Sequence, residues 1–167
     1  MSERANIEVD ARAHPSVTEL WQRYVDTLVG EQRAQARLQG VWHFCDNEHD
    51  ANACAQWVLQ GRKQATAPSL WELEAAAEPL PQVGDIHIVT NWQGHAQCVI
   101  RICAVEVLSF FAVTEAHAAL EGEGDGSLAY WRREHQDYYQ RVFAGSDKVF
   151  TPSMPIVFTS FEVLLRS

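Results

Sequence analysis

VGDIHIVTNWQGHAQCVIRICAVEVLSF, residues 83–110, is the stretch whose reading decides the fold class. Ile86, Ile88 and Thr90 alternate with Asp85, His87 and Val89, which is the two-residue period of a strand. Asn91 to Gly94 then supplies turn residues, and a second apolar run follows at once. The stretch predicts two long strands joined by a turn. Val99 to Val107 is nearly continuous in apolar residues, which predicts a strand covered on both faces.

Working outward, the flanks read as helices with a closing strand region. Ser16-Val17-Thr18-Glu19 fits a capping box, and Val17, Leu20, Trp21, Tyr24, Val25 and Leu28 recur at helical spacing behind it. Gly30 interrupts or ends this helix, and Gly40 marks a later stop. Asp50 caps a second helix through Cys54, Trp57 and Val58, with Gly61 as its C-terminal stop. Ser69-Leu70-Trp71-Glu72 forms another capping box before a short helix that Pro79 and Pro81 end. Thr114 caps EAHAALE, and Ser127 caps LAYWRREHQDYYQRVF. MPIVFTSFEVLLRS closes the chain as one or two strands. The sum is α+β: helices around a compact, mostly antiparallel sheet that curls into a small barrel.

The bulk properties bound the function. A chain of 167 residues favours one domain, and 47% hydrophobic with 21% charged residues is an ordinary globular balance. No apolar run reaches the roughly 18 residues that a membrane span needs. The first fifteen residues, MSERANIEVDARAHP, lack the apolar segment of a secretory signal and read as a polar lead-in, so a cytoplasmic location is expected. Cys45, Cys54, Cys98 and Cys103 form no CxxC pair and read as buried free thiols. The net charge of -9 argues against non-specific grip on a long duplex. Basic spots remain at Arg62-Lys63, Arg132-Arg133 and Arg141, which suit a small ligand or a short RNA.

Three stretches carry residues suited to chemistry. In GRKQAT, residues 61–66, Lys63 and Thr66 lie on the turn that leaves a helix. A pocket that desolvates such a lysine lowers its pKa toward base duty, with Thr66 as nucleophile or positioning hydroxyl. In EGEGDGSL, residues 121–128, glycines break strand and helix alike, so Glu121, Glu123 and Asp125 sit close together on a tight loop. These acids offer either hard oxygen ligands for a divalent metal or one carboxylate for acid–base work. In the following helix, Trp131, Arg132, Arg133, His135, Tyr138 and Tyr139 interleave aromatic and basic groups, which either stack bases and pair phosphates or simply present an amphipathic core face.

Read in order, GRKQAT, PQVGD, EVLSFFAVTEAHA, EGEGDGSLAYW and WRREH resemble the ASCH family, from about Asp50 to Leu164, and specifically its longer bacterial type with an EGEGD loop. The resemblance implies a PUA-like fold, with residues 1–40 as an N-terminal helical extension packed on a domain of residues 41–167. It implies a cleft for RNA or nucleotides. Small bacterial members of the family deacylate N4-acetylcytidine, and their catalytic lysine, threonine and glutamate map onto Lys63, Thr66 and Glu121. Longer members are described as ribonucleases on single-stranded RNA. Arg62, Ser69, Glu123, Asp125, Ser127, Trp131, Arg132 and His135 are then the candidate substrate contacts.

Three functions follow from these residues. The leading expectation is a hydrolase that cleaves the amide of an N4-acylated cytidine with Lys63, Thr66 and Glu121 and no cofactor. The second is a ribonuclease on single-stranded RNA, for which a divalent metal would be held by the loop acids. The third is a non-catalytic module that binds RNA or a modified nucleotide. The expected partner is a modified nucleoside or short single-stranded RNA, and no membrane.

Overall fold

The computed structural model describes residues 13–167; most of the polar lead-in lies outside them. The elements run α1 (Pro15–Thr27), α2 (Gly30–Gln35), β1 (Gly40–Trp42), α3 (Glu48–Leu59), β2 (Ala65–Thr66), α4 (Leu70–Ala75), β3 (Ile86–Thr90), β4 (Ala96–Ser109), a 3₁₀ turn (Phe110–Ala112), α5 (Glu115–Glu121), α6 (Leu128–Val142) and β5 (Pro155–Arg166). This is α+β, with the mostly antiparallel sheet that the strand pair predicts.

The five strands follow the order β1-β3-β4-β5-β2. β1 runs parallel to β3, while the β3–β4, β4–β5 and β5–β2 pairings are antiparallel. β1 and β2 are the outer strands and do not pair with each other among the described residues. The expected barrel is therefore open along one seam. Gly40 sits inside β1 rather than at a helix stop: a Cβ there would come within 2.9 Å of His87 Nδ1, so the missing side chain lets β1 lie against β3.

Three apolar clusters hold the fold. Val17, Leu20, Trp21 and Tyr24 of α1 pack with Ile88, Ala96 and Val99. Trp131, Tyr139 and Phe143 of α6 pack with Phe110, Met154, Ile156 and Phe158. Cys54 and Val58 of α3 pack with Phe44, Val89, Ile100, Ile102 and Phe161. Buried side chains of this size contribute about 1.5–3 kcal/mol each relative to exposure.

Several local expectations are corrected. His14, not Ser16, caps α1: its Nδ1 accepts from the Ser16 amide, and Ser16 Oγ accepts from the Ala96 amide instead. Asn47, not Asp50, caps α3, because its side chain accepts from the Asp50 amide. α1 ends at Thr27, three residues before Gly30, and α4 ends at Ala75, before either proline. Double coverage of β4 holds only near Cys98–Ile100; beyond it Val107 is exposed, so that half of the strand is one-sided. Cys54 and Cys98 are buried, but Cys45 is half-buried and Cys103 exposed.

Candidate active site

A cavity of about 670 Å³ draws its walls from both outer strands, Gly40–Trp42 on one side and Thr66 on the other. Phe44, Cys54, Trp57, Glu121, Glu123, Tyr130, His135 and Tyr138 complete much of its lining.

Lys63 follows the end of α3. Gly61 takes φ +74°, and the amides of Arg62 and Lys63 both donate to the Trp57 carbonyl, which turns the chain inward. The Lys63 side chain is only 1% exposed. Its ammonium donates to Glu121 Oε2 at 2.7 Å and to Glu123 Oε1 at 2.6 Å, and lies 5.0 Å from the centre of the Phe44 ring.

The three acids of the quoted loop meet three environments. Glu121 is the last residue of α5 and is buried; Glu123 is half-buried; Asp125 is exposed and accepts from the Ser127 amide at 2.8 Å. Gly122 makes this split possible. It adopts φ +60°, and a Cβ there would lie 2.1 Å from the Arg62 carbonyl oxygen, so the loop closes against the Lys63 turn only with glycine.

Glu121 accepts from every side. Besides Lys63, Trp131 Nε1 donates to its Oε1 at 2.8 Å, and His135 Nε2 lies 3.4 Å from the same oxygen. His135 Nδ1 donates to the Trp131 carbonyl at 3.0 Å. With both ring nitrogens facing acceptors, the imidazolium is the form that satisfies the geometry. Burial pushes the His135 pKa down, but the Glu121 carboxylate outweighs it and the net direction is up. Burial likewise opposes the charged forms of Lys63 and Glu121, yet their mutual attraction wins: Lys63 is held above its ordinary range and Glu121 well below its own. Two basic groups, Lys63 and His135, thus face two carboxyl groups, Glu121 and Glu123, in a largely buried cluster.

The arrangement corrects the picture of Lys63 as a desolvated base: at rest it is an ammonium. Thr66 lines the cavity but makes no hydrogen bond to Lys63 or Glu121. Glu121, Glu123 and His135 bring ligand atoms within 4.8 Å of one another, a spacing that suits a metal. The Lys63 ammonium already bonds both of those carboxylates, so a cation there would have to displace it.

Other expected contacts serve the scaffold. Ser69 is fully buried, with Oγ accepting from the Trp71 amide and donating to the Pro155 carbonyl. Ser127 caps α6 through the Tyr130 amide. Trp131 is in the core, where it stacks on His135 at 4.1 Å. Arg132 donates to the carbonyls of Phe111 and Val113, away from the cavity lining. Arg62 lies over the Trp57 ring, 4.9 Å from its centre, and donates to the Gly124 carbonyl. Residues that sequence reasoning did not place in the site include Phe44, Cys54, Glu72, Tyr130 and Thr159. The packing of α3, α4 and α6 on the sheet, and the sheet register itself, bring them there.

The ASCH domain family model matches residues 40–165. The chain belongs to the ASCH domain family. Its fold is that of ASCH domain structures, a PUA-like architecture. It is similar to the crystal structure of an ASCH domain from Lactobacillus crispatus JV V101, with a TM-score of 0.84 and 30% identity over 92% of this chain and 97% of that one. It is also similar to a protein from Enterococcus faecalis V583, with a TM-score of 0.76 and 31% identity over 89% of this chain and 88% of that one. None of the curated proteins matches the chain. No helix among the described residues is long and apolar enough to cross a membrane.

Proposed function

We propose that this ASCH domain hydrolyses the amide of an N4-acylated cytidine. ASCH domains are generally associated with RNA, and a modified nucleoside derived from RNA fits within that class. The observation that carries the reading is a buried Lys63–Glu121 pair at the edge of a cavity whose lining is net acidic. Eight Asp and Glu residues line it (Asp46, Asp50, Glu72, Glu78, Asp85, Glu121, Glu123 and Glu134) against one arginine, Arg141. Arg141 is itself bonded to Asp46 at 3.0 Å. Such a lining repels phosphate and admits an uncharged nucleoside, while Trp42, Phe44 and Tyr138 offer apolar surface for a base.

In this mechanism the Thr66 hydroxyl oxygen attacks the acyl carbonyl carbon. Lys63 first passes a proton to Glu123, its half-buried partner, and its free amine then takes the hydroxyl proton of Thr66. The carbon–nitrogen bond breaks, and the exocyclic amine leaves with the proton from Glu123. Water hydrolyses the acyl-threonine ester and releases the carboxylic acid. Glu121, held by three donors, stays ionised and positions Lys63.

A ribonuclease is the second reading. Arg62 over Trp57 and Arg133 over Tyr130 pair cations with rings that line the cavity, a combination that stacks bases. One assay separates the two: wild-type protein and Lys63→Ala are given N4-acetylcytidine and a fluorescent single-stranded RNA, with and without Mg²⁺ or Mn²⁺. Release of cytidine by the wild type alone supports amide hydrolysis. Cleavage of RNA by the wild type alone replaces it with the second reading.

A further inference from the structure

Thr159 is a polar residue of the cavity that nothing in the fold uses. It lies on β5, lines the cavity and is 2% exposed, yet its hydroxyl has no hydrogen-bond partner among the described residues. The sheet register explains where it sits. Thr159 pairs directly with Thr66 across the antiparallel β2–β5 ladder, and with Val105 of β4 on its other side. Directly opposed residues on such a ladder project to the same face with Cβ atoms about 4.5–5.5 Å apart. Val105 offers no polar group. Thr66 is the only hydroxyl-bearing ladder neighbour of Thr159, and it is the residue assigned the nucleophilic oxygen above.

Leaving a hydroxyl buried and unpaired costs about 1–3 kcal/mol. Valine has the same branched shape without that cost. A hydroxyl kept at this position, next to Thr66 and against the cavity, is matched to something that enters the cavity.

We propose that Thr159 is a second substrate-binding hydroxyl of the site, whose O–H donates to the acyl carbonyl oxygen of an amide substrate while Thr66 adds to the adjacent carbon. This rests on the amide-hydrolase reading and names a group that reading lacks: a neutral donor for the oxygen that gains negative charge. The basic groups of the lining are already engaged, Arg141 with Asp46 and His135 with Glu121. The one buried ammonium, Lys63, is already engaged with two carboxylates. No covalent bond is made to Thr159; the carbonyl π electrons move onto oxygen as the Thr66 bond forms, and return when the amine leaves.

The test compares wild type, Thr159→Val and Thr159→Ser by N4-acetylcytidine turnover and thermal melting. Thr159→Val is expected to lower kcat about 100-fold with KM changed less than about threefold, the behaviour of a donor used in the transition state. Its Tm is expected to equal or exceed that of wild type, because an unpaired buried hydroxyl is removed. Thr159→Ser, which keeps the hydroxyl, is expected to retain activity within about tenfold. Wild-type kcat in Thr159→Val overturns the proposal while leaving the hydrolase reading intact. A lowered Tm or failure to fold in Thr159→Val also overturns it, since the hydroxyl is then structural. A wild-type protein that does not turn over the nucleoside removes the hydrolase reading and this inference with it.

Discussion

The Lys63 ammonium lies 2.7 Å from Glu121 Oε2, although the two residues are 58 positions apart and each side chain is 1% exposed. Two folding events create this contact. The turn after α3 swings Lys63 inward, and Gly122 ends α5 against the backbone of Arg62. Removing Glu121 leaves Lys63 and His135 to share Glu123, so one buried cation loses its partner, which costs up to about 3–5 kcal/mol. Glu121→Gln is therefore expected to lose that amount of stability at neutral pH in urea unfolding.

The pH dependence of that loss has a definite sign. The folded-state pKa of Glu121 lies well below its ordinary value of 4.5, chiefly because Lys63 outweighs the burial penalty. Its contribution to stability is present above pH 4.5 and declines as pH falls toward the folded value. His135 behaves oppositely. Its folded pKa lies above 6.5, so its contribution is present below pH 6.5 and is lost as pH rises through the folded value. The stability gap between wild type and Glu121→Gln is expected to narrow on acidification below pH 4.5. That between wild type and His135→Gln is expected to narrow on alkalinisation above pH 6.5. Urea unfolding across a pH series measures both.

Trp131 links the pair to the core. Its Nε1 donates to Glu121 at 2.8 Å, a bond to a charged acceptor. Trp131→Phe keeps an aromatic ring beside Phe110 and His135 but removes that donor. A loss of about 1.5–3 kcal/mol is expected from the hydrogen bond, with a further small cost for the reduced volume. Equilibrium denaturation checks it.

Two glycines of the same loop separate strain from collision. Gly122 and Gly126 both have positive φ, at +60° and +76°. A Cβ at 126 meets nothing within 4 Å, whereas one at 122 meets the Arg62 carbonyl. Gly126→Ala is expected to cost only the local strain, about 1–2 kcal/mol. Gly122→Ala is expected to cost more and to lower activity, because Glu121 and Glu123 move with the loop. Melting temperatures and turnover of the two variants distinguish these outcomes.

How much of this could be read from sequence depends on whether the signal was local. The strand pair, the Ser69 capping box and the Thr114 and Ser127 caps are short-range patterns, and each stands in the structure. Ser16 and Asp50 misled because another side chain two or three residues earlier satisfies the same helix end. β1 and β2 have only three and two residues, too few for any period to register. Lys63, Glu121, Glu123 and His135 were named from their motifs, but their mutual neutralisation is a tertiary fact, and it reverses the expected charge state of Lys63. Thr159 had no signal at all. Within FTSFEV it is one threonine of a strand, and only the β2–β5 register sets it beside Thr66.

The most direct measurement is the release of cytidine from N4-acetylcytidine by wild-type protein and by Thr66→Val, followed chromatographically with both proteins shown to be folded. Thr66 is half-buried and its hydroxyl makes no hydrogen bond among the described residues, so the variant, which keeps the β2–β5 backbone pairing, is expected to melt near wild type. Turnover by the wild type, reduced at least about 100-fold in Thr66→Val, is the predicted result. Equal turnover by the two proteins, or none by the wild type, would contradict the assignment of Thr66 and Lys63 to amide hydrolysis.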